Sequence, residues 1–76
     1  MFDPHEYTIT IKKVFVDGEH LFKATIQELP DVVEYGQTYD EAYQLAIDTI
    51  TTAAAMCAES HTPFPQPLVQ KEFSYA

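Results

Sequence analysis

The fold is decided by residues 38–58, which read TYDEAYQLAIDTITTAAAMCA. Thr38 and Glu41 have the spacing of a capping box, in which the threonine hydroxyl accepts a backbone N–H three residues on and the glutamate reaches back. Apolar residues then recur at the spacing of one helical face: Tyr39, Ala42, Tyr43, Ala46, Ile47, Ile50, Ala53, Ala54 and Cys57. The sequence therefore predicts one long helix, which ends before Pro63 because the residue ahead of a proline disfavours helical geometry.

The residues before the helix alternate in the manner of a β-strand. From residue 6 onward, Tyr7, Ile9 and Ile11 share one face, since alternate side chains of a strand point the same way. After Lys13 the apolar residues change to the other parity. This change indicates either a bulge or an exposed strand end.

A hairpin and a second strand follow. Asp17 and Gly18 form a hairpin-turn pair, since both residue types tolerate a positive φ. The second strand is predicted over residues 20–26. One face of this strand carries Phe22, Ala24 and Ile26.

Prolines divide the rest of the chain. Pro30 lacks an N–H for a sheet ladder, so we expect it to end the strand region and to fix a turn. A short third strand is predicted over residues 32–35. Residues 63–67 hold three prolines, which is typical of a stiff, extended connector. Residues 68–75 are a candidate C-terminal edge strand.

These elements predict an α+β fold, with a three-stranded antiparallel sheet packed on one long helix. The 76 residues form one domain, with a core at about residues 6–68. One helix leaves part of the sheet uncovered and its edges unpaired, so we expect a homo-oligomer, either a dimer or a tetramer.

Composition limits the classes of partner. Hydrophobic residues make up 46% of the chain, which argues against disorder. Twelve acidic residues against four lysines give a net charge of −8. Because nucleic-acid binders neutralise phosphates with Lys or Arg, we expect no direct nucleic-acid binding and favour a basic protein partner. The sequence has neither a signal peptide nor an apolar stretch long enough for a membrane span, so a cytoplasmic location without membrane binding is expected.

Several short motifs, taken in their order, resemble the HicB-like antitoxin family of bacterial toxin–antitoxin systems. The motifs are residues 7–9, the turn at 17–18, and residues 22–26, 28–30, 35–36, 38–42 and 63–67. The resemblance implies a partial RNase H-like fold that lacks nuclease activity. It also implies that the chain binds and masks a small, basic, mRNA-cleaving HicA-like toxin. Many members carry a C-terminal DNA-binding module, which we do not expect within residues 1–76.

The acidic residues near the third strand are the predicted contact site. Glu28, Asp31, Glu34 and Tyr35 lie close together in sequence, and we interpret them as a docking rim for the basic toxin. The alternative is a solvated acidic surface. An RNase H-like metal-dependent nuclease would need converging carboxylates, one of them in the first strand. Residues 7–16 contain neither Asp nor Glu, so we expect no enzyme activity, cofactor or metal.

Other reactive residue types have ordinary interpretations. The three histidines lack metal-ligand spacing. Cys57 is the only cysteine, and on the apolar helix face it is expected to be a buried, unreactive thiol. Tyr39 and Tyr43 are expected in the core, with an aromatic interface patch including Tyr35 as the alternative. The alternative function is a HicB-like domain that self-associates or binds another protein, and a metal-dependent RNase H-like nuclease is the least favoured alternative.

Overall fold

The computed structural model of the chain describes residues 2–68. Its elements are a 3₁₀ turn at Pro4–Glu6, strands β1 (Ile9–Val16), β2 (Glu19–Ile26) and β3 (Leu29–Gly36), and helix α1 (Tyr39–Glu59). The strands form one antiparallel sheet in the order β1-β2-β3. Helix α1 lies across one face and contacts β3 most extensively. The predicted α+β fold is confirmed.

The hairpin between β1 and β2 is regular. Pairing runs without interruption from Ile9 opposite Ile26 to Val16 opposite Glu19. The turn residues have φ of 48° at Asp17 and 83° at Gly18, so both take the positive φ that the sequence predicts. The change in apolar parity is therefore an exposed strand end rather than a bulge. β1 begins at residue 9 rather than 6, because the 3₁₀ turn occupies residues 4–6.

The core lies between α1 and the middle of the sheet. Its buried members are Tyr7, Ala24, Ile26, Ala42, Ala46 and Ile50. Ile9, Ile11 and Phe22 pack against this cluster from the strand faces predicted for them. Alanines on both α1 and β2 let the helix approach the sheet closely, and the isoleucines fill the remaining space.

The third strand differs from its prediction. It covers residues 29–36 rather than 32–35, and the turn before it falls at residues 27–28. The prediction that Pro30 ends the strand and fixes the turn is wrong. The register between β2 and β3 shifts beside Pro30, from Ile26 opposite Leu29 to Thr25 opposite Val33. Proline is tolerated in an edge strand at such an irregularity, because no partner strand needs its missing N–H.

Both ends of α1 are capped within the chain. The backbone N–H of Glu41 donates to Thr38 Oγ1 at 3.0 Å, as the capping box predicts. Glu41 reaches back to accept from the backbone N–H of Gln37, also at 3.0 Å. At the other end His61 takes a φ of 56°, and the N–H of Thr62 donates to a helix carbonyl. This left-handed termination ends the helix before Pro63, as predicted.

The proline segment returns to the sheet. Residues 62–68 have no regular secondary structure, but Phe64 packs against the core. The Tyr7 hydroxyl donates to the carbonyl of Pro65. The Tyr7 and Phe64 rings lie 5.9 Å apart between centroids. The predicted strand over residues 68–75 lies, beyond Leu68, outside the described residues.

Candidate protein-binding surface

Strand β3 is an edge strand within the described part of the chain. β2 pairs with one of its sides, and no element of residues 2–68 pairs with the other. Val33 and Tyr35 are 41% and 47% exposed along this strand. A free strand edge presents backbone N–H and C=O groups that another strand can pair with. β3 is therefore a candidate site for a second polypeptide.

The predicted contact residues on β3 face different ways. Glu34 lies opposite the buried Ala24 and points toward α1, where its carboxylate accepts from Thr49 Oγ1 at 2.6 Å. Tyr35 lies opposite Lys23, and alternation places it on the face away from the helix. Asp31 is exposed beside the register shift. The strand thus presents the Glu34 carboxylate on its helix side and the Tyr35 ring on its outer side.

The Glu28 carboxylate is held by hydrogen bonds within the fold. It accepts from the backbone N–H of Thr8 at 3.0 Å, from the Thr8 hydroxyl at 3.1 Å and from the backbone N–H of Leu68 at 2.8 Å. Burial opposes ionisation of Glu28, but the hydrogen bonds from Leu68 and Thr8 outweigh it and hold the pKa of this carboxyl below its ordinary value. Glu28 thereby fastens the proline segment to the start of β1.

The lowered pKa of Glu28 leads to a pH-dependent prediction. A depressed folded-state pKa contributes stability above the unfolded-state pKa, and this is lost as the pH falls through the folded value. At pH 7, Glu28→Gln should destabilise the fold by about 1.5 kcal/mol, the lower end for hydrogen bonds to a charged group. In urea titrations from neutral to acid pH, the two proteins should converge below the folded pKa.

The control for this prediction is Glu19→Gln. Glu19 is an exposed carboxylate at the start of β2, and no side-chain hydrogen bond to it occurs within residues 2–68. Its replacement should leave stability at pH 7 almost unchanged. A Glu28→Gln protein as stable as wild type at pH 7 would show that the hydrogen bonds contribute nothing.

A groove runs along the flank of α1 on the side of β3. It has a volume of about 350 Å³ and is lined by Leu45, Asp48, Thr49, Thr52, Ala53 and Met56. Thr49 joins the groove to the sheet, since it also donates to Glu34. Met56 is 64% exposed at one end. The groove is lined by α1 residues alone and meets β3 at the Glu34–Thr49 contact; together, the free edge of β3 and this groove are here called the β3 surface.

The charge on the β3 surface is negative. Asp48 lies in the groove and Glu34 lies beside it. The lysines of the described part, Lys12, Lys13 and Lys23, all lie on β1 and β2. Among residues 2–68 the only carboxylate within 4 Å of a basic side-chain nitrogen is that of Asp3, which lies 3.1 Å from His5 Nδ1. The carboxylates of the β3 surface therefore form no ion pair with a lysine of residues 2–68.

Sequence analysis missed the groove residues. Leu45 and Met56 lie outside the apolar face of α1 that packs on the sheet. They are 11 residues, or about three helical turns, apart, so both lie on the neighbouring face of the helix. An apolar residue left over from the core stripe of a helix is the signal that could have revealed them.

Three further expectations concern tyrosine and cysteine side chains. The core position predicted for Tyr39 is wrong: it is 57% exposed, because it precedes the point at Ala42 where the helix meets the sheet. Tyr43 is half-buried, with its ring 6.2 Å from that of His5. Cys57 is half-buried rather than fully buried, in a second groove of about 510 Å³ that Phe2 and Phe64 also line.

Across residues 2–68, no three side chains of the His, Cys, Asp and Glu types converge to hold a metal ion. Helix α1, the one α-helix of this region, is not apolar enough along its length to cross a membrane.

Comparison of the chain with protein-family models, with curated proteins and with solved structures finds no match.

Proposed function

We propose that this chain is a non-catalytic, antitoxin-like domain that binds a small, basic, mRNA-cleaving toxin of the HicA-like kind and neutralises it by masking it. The observation that carries the proposal is the β3 surface, where a strand edge unpaired among residues 2–68 lies beside carboxylates that form no ion pair with those residues. The resemblance of the motifs along residues 7–67 to HicB-like antitoxins supports the same function.

Electrostatic attraction would raise the rate at which the toxin binds and would favour a basic partner. A chain of net charge −8 attracts a basic protein over a distance of about one Debye length, which raises the association rate. An enzyme that cleaves mRNA must bind phosphates, and it does so with Lys and Arg. Carboxylates that form ion pairs with those Lys and Arg side chains compete directly with RNA phosphates. Binding at the β3 surface would therefore also inhibit cleavage.

The four predicted contact residues would contribute differently. Asp31 and Tyr35 are exposed and free to contact a partner. Glu34 would contact the partner from the border of the groove, where its carboxylate already accepts a hydrogen bond from Thr49. Glu28 would act indirectly, because its oxygens accept from Thr8 and Leu68. We therefore expect substitutions of Asp31 and Tyr35 to affect binding without a loss of stability.

A reconstitution experiment tests the proposal. The small basic protein encoded beside this chain, if it resembles HicA, is purified and mixed with the chain at micromolar concentration. We expect a stoichiometric complex, a suppression of mRNA cleavage, and an affinity that falls as salt is added. The variant Asp31→Asn should bind more weakly, whereas Asp17→Asn, in the distant hairpin turn, should bind like wild type. The absence of a complex would refute the proposal.

Self-association is the second candidate, favoured by the same free edge. Two copies of β3 could pair and form a continuous six-stranded sheet around a two-fold axis. Light scattering over a range of concentrations tests this. A monomer at every concentration excludes it, and a dimer that a proline in place of Val33 disrupts supports it.

A further inference from the structure

We propose that the β3 surface holds one extended, basic segment of the partner, which joins the sheet as a fourth strand beside β3 and places alternate apolar side chains in the groove of α1. This inference rests on the proposed protein-binding function and specifies the chemistry of the bound segment.

The position of the groove favours a strand as the bound element. A strand added to β3 would lie about 4.8 Å from it. Side chains on one face of that strand would point toward α1, as Glu34 of β3 does. They would meet the flank of α1 that lies just beyond the Glu34–Thr49 contact, which is the flank that forms the groove. One extended segment can therefore pair with the free backbone groups of β3 and at the same time place side chains in the groove.

The groove calls for apolar side chains at alternate positions of the segment. Leu45, Ala53 and Met56 are the apolar residues that line it. The exposure of Met56 leaves a flexible thioether that adapts to side chains of different shape. Covering these three side chains removes apolar surface from water, which is the main favourable term in most protein association.

Charge complementarity calls for Lys or Arg in the segment. The Asp48 carboxylate accepts from Gln44 Nε2 at 3.0 Å through one oxygen, and the described part of the chain brings no cation to the other. A second copy of this chain would fit poorly, because two-fold pairing of β3 places Glu34 and Asp48 of both copies along one flank. A basic segment instead neutralises both carboxylates.

A peptide selection tests the inference with a defined probe. Random peptides of about ten residues, enough to span the eight residues of β3, are displayed and selected on the full chain. We expect recovered peptides to carry apolar residues at alternate positions and Lys or Arg between them. A synthetic peptide of the consensus should lose its binding when alternate backbone amides are methylated, because strand pairing needs those N–H groups.

Matched variants of the chain locate the site. Met56→Ala removes apolar contact and should weaken peptide binding about tenfold, the size typical of a central contact. Asp48→Asn keeps the acceptor for Gln44, removes the charge, and should weaken binding about fivefold and reduce its salt dependence. Asp17→Asn removes the same charge from the hairpin turn, where asparagine tolerates the positive φ, and should bind like wild type.

Several results would overturn the inference. The selection could recover no peptide, or peptides whose consensus is neutral or acidic. The consensus peptide could bind wild type and Met56→Ala equally well, or could still bind after its backbone amides are methylated. A concentration-dependent dimer that Met56→Ala converts to monomer would show that a second copy fills the groove, which also overturns it.

The same variants separate this inference from the proposed function. A toxin that binds wild type and Met56→Ala equally would leave the antitoxin function standing and refute the strand-and-groove site. If peptides bind the groove but the neighbouring basic protein forms no complex, the strand-and-groove site stands and the antitoxin function is refuted.

Discussion

Replacing Gly36 with alanine is expected to destabilise the protein by about 3 kcal/mol, at the upper end of the usual range for overpacking. A Cβ atom at Gly36 would lie 2.5 Å from the backbone nitrogen of Ala42 and 2.9 Å from its Cα. Both atoms belong to the backbone of α1, so no side-chain rotation relieves the clash. The helix would have to move away from the end of β3, which opens the core beside Ala42.

A loss of this size should be easy to measure. At roughly 0.05–0.15 kcal/mol per residue, a domain of 76 residues has a stability of about 4–11 kcal/mol. Urea titration followed by helical circular dichroism should therefore show a large fall in the unfolding midpoint. In a less stable background Gly36→Ala would be unfolded without denaturant.

Gly18→Ala is the matched control, because it separates backbone strain from steric clash. Gly18 has a φ of 83°, and apart from its two chain neighbours no residue has an atom within 4 Å of the position that a Cβ atom would take there, so its replacement introduces strain without a tertiary clash. We expect a loss of about 1 kcal/mol there. If Gly36→Ala destabilises no more than Gly18→Ala, the close contact between β3 and α1 is not as tight as described.

Replacing Ile50 with alanine is expected to destabilise the protein by about 3 kcal/mol. Ile50 is 0% exposed and packs in the cluster that joins α1 to β2. Truncation removes buried methyl groups and leaves a cavity that close-packed neighbours fill only in part, and such changes typically cost about 2–5 kcal/mol. Thermal and urea unfolding should both report the loss.

Met56→Ala is the control on the same helix. Met56 is exposed in the groove, so its truncation should change stability by no more than about 0.5 kcal/mol. This variant therefore tests the groove in a folded protein. An Ile50→Ala protein as stable as Met56→Ala would contradict the assignment of Ile50 to the core.

The elements of the fold that depend on local chemistry were predictable from the sequence. Thr38 and Glu41 cap the helix because the capping box needs only a few neighbouring residues. The turn at residues 17–18 forms because Asp and Gly tolerate the positive φ that a tight hairpin requires. The helix-facing residues of β1 and β2 followed from period-two alternation.

Features that depend on distant residues were not predictable in the same way. Pro30 looked like a strand end, yet it lies within β3 because β3 is an edge strand and the register shifts beside it. Glu28 looked like a free surface carboxylate, yet it binds backbone groups 20 and 40 positions away. Neither outcome leaves a trace in neighbouring residues.

The helix, the hairpin and their packing faces can be read from the amino-acid order alone, because capping, turn geometry and apolar periodicity act over a few residues. Long-range packing had to be known before the Glu34 carboxylate could be placed against Thr49 of α1, and Leu45 and Met56 in a groove on the side of β3. That surface arises where a helix flank and a strand edge meet, and strand order and helix position, both set by contacts between distant residues, bring them together.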